Sequence, residues 1–357
     1  MPTTRRAVLR AVAAATVAAP LPGRAQQVLR LSLASGYPPV FLWIQELQKT
    51  FMPAVNEALA QSGNRFKVEW TASMSGTLAK IPAMLDAVKD GLCDVGHVTN
   101  IVEPLRMAPQ NATFYAPFGS TSARLVTQAF NAWHRESAAG RKVWDDQGLV
   151  LLTQFALDDY ILMSKVPVQT LADLKGRKIG GGGPNLRWIE GSGAAGVQTT
   201  GAAAYSDMKA GVFDAVMAPA TLAVSAKFHE VAPHVVRVGF GAMNAGQLVV
   251  NRDRFRQYPE PVQQALQAAA NRYQLAFLDS LEAQEKAAIA GMTAGGAKVS
   301  TLARDQRRAW AMGLPSIARD WAREIDAKGM PGTESLRFFM EYQRRNGVDI
   351  LRDWDRA

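Results

Sequence analysis

The chain has 357 residues, 48% of them apolar and 20% charged, with a formal net charge of +9 and one cysteine. This length favours two lobes over a single core. No run of five or more basic residues occurs, which argues against nucleic acid as a partner. Cys93 has no second cysteine to pair with, so no internal disulfide forms.

The first 25 residues read as an export signal. Thr4-Arg5-Arg6-Ala7-Val8-Leu9-Arg10 is basic, 11–19 is a short Ala-rich run, and Pro20-Leu21-Pro22 breaks it before Gly23-Arg24-Ala25. The paired arginines suggest the twin-arginine route, with general export as the other machinery. The apolar run is far short of the ~20 residues a bilayer span needs. Cleavage after Ala25 removes four arginines and no acid, taking +9 to +5. The expected product is a soluble periplasmic protein starting near Gln26.

Alternation predicts a strand at 28–34, a loop at 36–39 and a helix over 41–59 with one proline inside. A strand at 66–70, a loop at 73–77 and a helix at 81–89 follow. Strands are predicted at 149–155, 161–164, 235–240 and 247–251. Lys178-Ile179 enters a glycine-rich loop, and 186–190 starts a helix. One long helix covers 260–294, with more helix to about Arg345. The strand pairs around 150 and 247 are candidate crossovers between lobes.

One unit occurs twice. Met84 to Val95 and Ala204 to Ala215 each read as a helix ending at glycine (Gly91, Gly211), two apolar residues, an aspartate (Asp94, Asp214) and a strand. Glycine suits the left-handed position that closes a helix, and aspartate suits the turn into a strand. The repeat predicts two similar α/β lobes.

Catalytic and metal motifs fail on spacing. His229 and His234 are five apart with Pro233 between them, so they share no helix face for zinc. Gly191-Ser192-Gly193 lacks the pattern of a nucleophile elbow. No catalytic residue, metal or cofactor is expected. Gly180-Gly181-Gly182-Gly183-Pro184 offers consecutive backbone N–H groups to an anion, with Arg187 in the turn that follows. The alternative is a link whose glycines let the other lobe approach closely.

Several stretches resemble the extracytoplasmic solute-binding proteins of TRAP transporters, the DctP-like family. Leu171-Ala172-Asp173-Leu174-Lys175-Gly176-Arg177-Lys178-Ile179 is similar to its D-L-K-G-x-K-I signature. Tyr205 with Gly211 and Asp214 resembles its Y…G-x-x-D segment. Phe228-His229-Glu230-Val231-Ala232 resembles F-x-E-V-A, and Asn251 to Leu266 resembles the start of its long helix. The resemblance covers about 28–300. It implies an α/β, two-lobed periplasmic-binding-protein fold with a long helix spanning both lobes and a helical C-terminus. The expected lobes are 26–151 with about 248–282, and 152–247 with about 283–357. It also implies a non-catalytic receptor that closes on a small organic acid and passes it to TRAP-type membrane permease subunits. Presentation to a sensor kinase, or a periplasmic enzyme on this fold, are the other readings.

The chain departs from the family where an arginine clamps the ligand carboxylate: that position is Gly180. A second basic position is Tyr160, a ligand-facing asparagine is Ala218, and an aromatic wall position is Gly201. These exchanges predict a wider, less polar wall in the second lobe, suited to a bulky, aromatic acid. Either Arg187 or the glycine loop is expected to take over the anion. The candidate ligand residues are Ser35, Tyr37, Ser75, Thr99, Asn100, Tyr160, Gly180, Gly183, Arg187 and Tyr205, set on loops where such sheets bind ligands.

Overall fold

In a computed structural model, which describes residues 26–201 and 203–356, the repeated unit does the same job twice. Gly91 and Gly211 have φ +72° and +78° and close their helices. In each copy the next amide reaches back to a helical carbonyl, Leu92 N to Ala87 O and Val212 N to Asp207 O. The aspartate then holds the neighbouring parallel strand. Asp94 Oδ2 accepts from Ser32 N and Ser32 Oγ at 2.7 Å, and Asp214 Oδ2 accepts from Lys178 N at 3.0 Å. Cys93 and Phe213, one residue earlier, are buried in the respective cores. The expected export signal, 1–25, lies outside the described residues.

In chain order the strands are β1 (Gln27–Ser35), β2 (Phe66–Ser73), β3 (Val95–Thr99) and β4 (Leu149–Leu157). Next come β5 (Tyr160–Ser164), β6 (Lys178–Gly181), β7 (Ala195–Gln198) and β8 (Ala215–Pro219). The last are β9 (His234–Arg237), β10 (Met243–Asn251) and β11 (Lys298–Thr301). Two sheets result, with orders β2-β1-β3-β10-β4 and β11-β9-β5-β8-β6-β7. The fold is therefore the two-lobed α/β arrangement.

The chain crosses between sheets at 158–159 and at 238–242. Pairing of β4 with β10 runs from Asn251↔Leu149 to Met243↔Leu157. Residues 152–157 and 243–247 thus belong to the first sheet, not to the second lobe as expected. The two crossovers are tied together: Tyr160 N donates to Gly241 O, and Gly241 N to Asp159 Oδ1.

The helix Glu260–Ala294 lies across both lobes. Tyr273 Oη donates to Trp43 O and Gln267 Nε2 to Leu152 O in the first lobe. Met292, near the other end, is buried in the core of the second. The helix expected over 41–59 is present but carries one π-helical turn, Leu47–Phe51, between Leu42–Glu46 and Met52–Gln61. Pro53 explains it, since its ring lacks an N–H and crowds the carbonyl four residues back.

The C-terminal helices Arg304–Gly313, Ile317–Ala327 and Gly332–Arg345 were expected with the second lobe. Instead, Gly332–Arg345 packs on the first-lobe helix Ala123–Glu136, with Phe339 5.9 Å from Phe130. Trp354 Nε1 donates to Pro117 O nearby. No helix of the described residues is long and apolar enough to cross a membrane.

Candidate interlobe solute site

The strand ends bring the expected first-lobe residues together. Ser35 ends β1, and its Oγ accepts from Tyr37 N at 3.1 Å. Gly76 N donates to Ser35 O, and Ser75 N to Tyr37 O. Ser75 itself has φ +59° and is exposed. Tyr37 meets Phe41, Trp43 and His97 edge-on at 5.4–5.7 Å, while Phe41 and Trp43 stack at 4.7 Å. Burial raises the Tyr37 phenol above its usual value, and the Thr99 hydroxyl opposes this.

His97 is sandwiched between Trp43 and Phe155. Burial pushes its imidazole down to about 3, so it is neutral at any ordinary pH. His97 Nε2 and Trp43 Nε1 are buried and have no hydrogen-bond partner among the described residues.

From the second lobe, Tyr160 starts β5 and is 6% exposed, edge-on to Phe114 and Trp188. Burial raises its phenol most; Asp158 and Tyr37 add to that, and the Asn185 side chain opposes it. Tyr37 of the first lobe thus lies near enough for its charge to bear on Tyr160. Asn185 is 2% exposed, and its Oδ1 has no partner among the described residues. Trp188 Nε1 donates to Phe114 O at 2.6 Å, a second link between lobes.

The glycine loop does not form an open anion cradle. Gly180 and Gly181 are ladder residues of β6, and Gly183 N donates to Gln198 Oε1. Gly183 has φ +55°, and a Cβ there would stand 3.6 Å from the Ile101 side chain. Its role is close approach of the first lobe. A Cβ on Gly180 would lie 2.9 Å from the Phe213 ring, and one on Gly201 2.9 Å from Leu222. Those side chains fill the space the missing ones leave, and Ala218 is packed in the core. The wider second-lobe wall expected from the sequence is absent for this reason.

Three expected ligand residues point elsewhere. Arg187 is held by Glu190, three residues on, with Nε to Oε1 at 2.9 Å. Tyr205 donates to Glu230 Oε2 on the protein surface. Asn100 is fully buried, its Nδ2 shared among Gln110 O, Asn111 Oδ1 and Asn244 O while its Oδ1 accepts from Gln247. Ser35, Tyr37, Thr99, Tyr160 and Gly183 remain at the junction. His97, Trp43 and Asn185 join them, although nothing in the sequence marked the first two. Asn185, directly after the glycine-proline turn, was the one with a local signal.

A profile of the bacterial extracellular solute-binding proteins, family 7 (DctP), matches residues 39–324. The chain belongs to this family. The solved structures similar to this family 7 chain include TRAP solute-binding proteins. One, from a marine metagenome and specific for aromatic acid ligands, is in complex with 3-hydroxybenzoate. It has 20% identity and TM-score 0.76, over 90% of this chain and 100% of that one. Another, from Bordetella bronchiseptica with bound mandelate, has 22% identity and TM-score 0.72, over 89% and 99%. A third, from Desulfovibrio salexigens, has 19% identity and TM-score 0.75, over 89% and 97%. Likeness at this identity establishes the DctP fold, and family 7 proteins bind solutes rather than transform them.

Proposed function

We propose that this chain is an exported, periplasmic receptor that takes an aromatic monocarboxylic acid between its lobes and delivers it to a TRAP-type permease. The observation that carries the reading is the first-lobe aromatic wall of Tyr37, Phe41, Trp43 and His97, with the buried Tyr160 and Asn185 of the second lobe at the same junction. The two phenols and the Asn185 amide are neutral hydrogen-bonding groups. Neutral donors suffice for one carboxylate, whereas a small dicarboxylate buries a second charge that has no cation to meet it. Arg187, the nearest expected cation, is engaged by Glu190.

The aromatic ring gains from burial at about 25 cal/mol per Å² and from edge-on contacts worth ~0.5–1.5 kcal/mol. This preference rests on the first-lobe wall, not on the small residues of the second lobe. The structural relatives that hold 3-hydroxybenzoate and mandelate support the ligand class. A ligand touching both lobes would stabilise their closed arrangement. A thermal-shift screen of benzoate, 3-hydroxybenzoate, mandelate, succinate and malate tests the reading. Upward shifts with the three aromatic acids are expected. Shifts confined to succinate and malate would overturn it.

A further inference from the structure

A cavity of about 140 Å³ lies between the helices Ile317–Ala327 and Gly332–Arg345, away from the solute site. Its floor is Ala322 and Leu336, both buried. Three arginines line it: Arg319 and Arg323, one turn apart on the first helix, and Arg337 on the second. Like charges at this spacing repel, so a counter-charge on this concavity would be favourable.

The protein's own acids meet little of that need. Arg323 pairs with Asp320, outside the group of three. Asp355 lines the cavity, but both its oxygens are held by Arg344. Asp326 is bonded to the amide and hydroxyl of Thr333. Arg319 reaches only Ser316 Oγ, at 3.1 Å, and no carboxylate of a described residue lies within 4.0 Å of Arg319 or Arg337. Arg352 is a further nearby cation, lowered by burial and then by Arg319.

We propose that this cavity binds a small tetrahedral dianion of the phosphate class. Guanidinium forks match the oxygens of such an ion in pairs. One water takes about 30 Å³ of liquid volume, so the space accepts a tetrahedral oxyanion with part of its hydration. Bound there, the ion bridges the two C-terminal helices. The first of these also carries Trp321, stacked on Tyr115 at 4.9 Å, so the site would restrain the layer beneath the first lobe.

The test uses inorganic phosphate as the probe, against potassium chloride at matched ionic strength. Thermal unfolding of the full chain should shift upward with phosphate and saturate. Arg337→Gln, at an exposed position, should weaken this response about tenfold, the effect of losing roughly 1.4 kcal/mol. Arg337→Lys should fall between, because it keeps the charge and loses the fork. Arg135→Gln, on another face, serves as the control and should respond as the parent does. A phosphate shift no larger than that of chloride, or one unchanged in Arg337→Gln, would overturn the proposal.

Discussion

Asp159 Oδ1 accepts a 2.9 Å hydrogen bond from Gly241 N, so the first crossover holds the second by a carboxylate that is 3% exposed. Its neighbour Asp158 accepts from Thr221 N and Oγ1 in the second lobe. Both acids sit where the chain passes from one sheet to the other.

Stability should fall as pH rises from 3.8 to about 7. Burial pushes Asp159 up from 3.8 to about 7, with Gly241 N working against it. Asp158 and the half-buried Glu285 are both pushed to about 6, again mainly by burial. Arg237 opposes the shifts of Asp159 and Glu285, while Lys286 and Glu282 also face Glu285. A carboxyl with a raised pKa leaves stability intact below its ordinary value, 3.8 for the aspartates and 4.5 for Glu285, and removes it as pH climbs from there through the folded value. Asp159→Asn keeps an acceptor for Gly241 N without the charge. It should raise Tm at pH 8 by roughly 2–4 °C, the effect of about 1 kcal/mol in a large domain. Calorimetric scans at pH 5 and pH 8 check this, and an equal effect at both would contradict it.

The repeated aspartate is a structural clamp. Burial works against the Asp94 carboxylate, but Ser32, Tyr258 and Arg254 outweigh it and leave its pKa lowered. That contribution is present above the ordinary value of 3.8 and is lost as pH falls through the lowered one. Asp94→Ala should cost about 1.5–3 kcal/mol at pH 7, the range for a hydrogen bond to a charged group. Urea unfolding measures it.

Restoring an arginine at 180 should not by itself create a dicarboxylate site. Its Cβ would meet the Phe213 ring at 2.9 Å in a packed core. Gly180→Arg should lower Tm and leave succinate unbound, whereas Gly180→Arg with Phe213→Ala should recover part of the Tm. A single substitution that binds succinate at unchanged Tm would show that Phe213 yields freely.

Asn185 should choose between related aromatic acids. Its buried Oδ1 is unpartnered among the described residues, and an unmet buried acceptor costs about 1–3 kcal/mol. A ligand hydroxyl can satisfy it. Asn185→Leu should weaken 3-hydroxybenzoate by about tenfold and benzoate much less. Equal losses for both acids in titration calorimetry would assign Asn185 to the fold alone.

The strands, the long helix and the duplicated turn were legible because each is written locally. Gly91 and Gly211 need positive φ, Asp94 and Asp214 need a neighbouring strand amide, and Ala-rich 260–294 has the helical period throughout. The lobe boundaries were less legible, since β4 and β10 continue apolar past the expected crossovers and only their mutual pairing ends them. Side-chain destinations were hardest. Arg187 and Tyr205 had the right chemistry for a ligand, but Glu190 and Glu230 stood within reach and took them. Gly180 and Gly201 read as open space because Phe213 and Leu222, distant in sequence, could not be placed. His97 was hidden for the converse reason: inside an apolar strand it looked like core, and only the fold sets it beside Tyr37.

Titration calorimetry with benzoate and succinate, on the parent protein and on Tyr37→Phe with Tyr160→Phe, decides whether the two phenols hold an aromatic acid. Benzoate should bind saturably to the parent and at least about tenfold more weakly when both phenol hydroxyls are gone, and succinate should give no heat. Tight succinate binding, or benzoate binding indifferent to both hydroxyls, would contradict it.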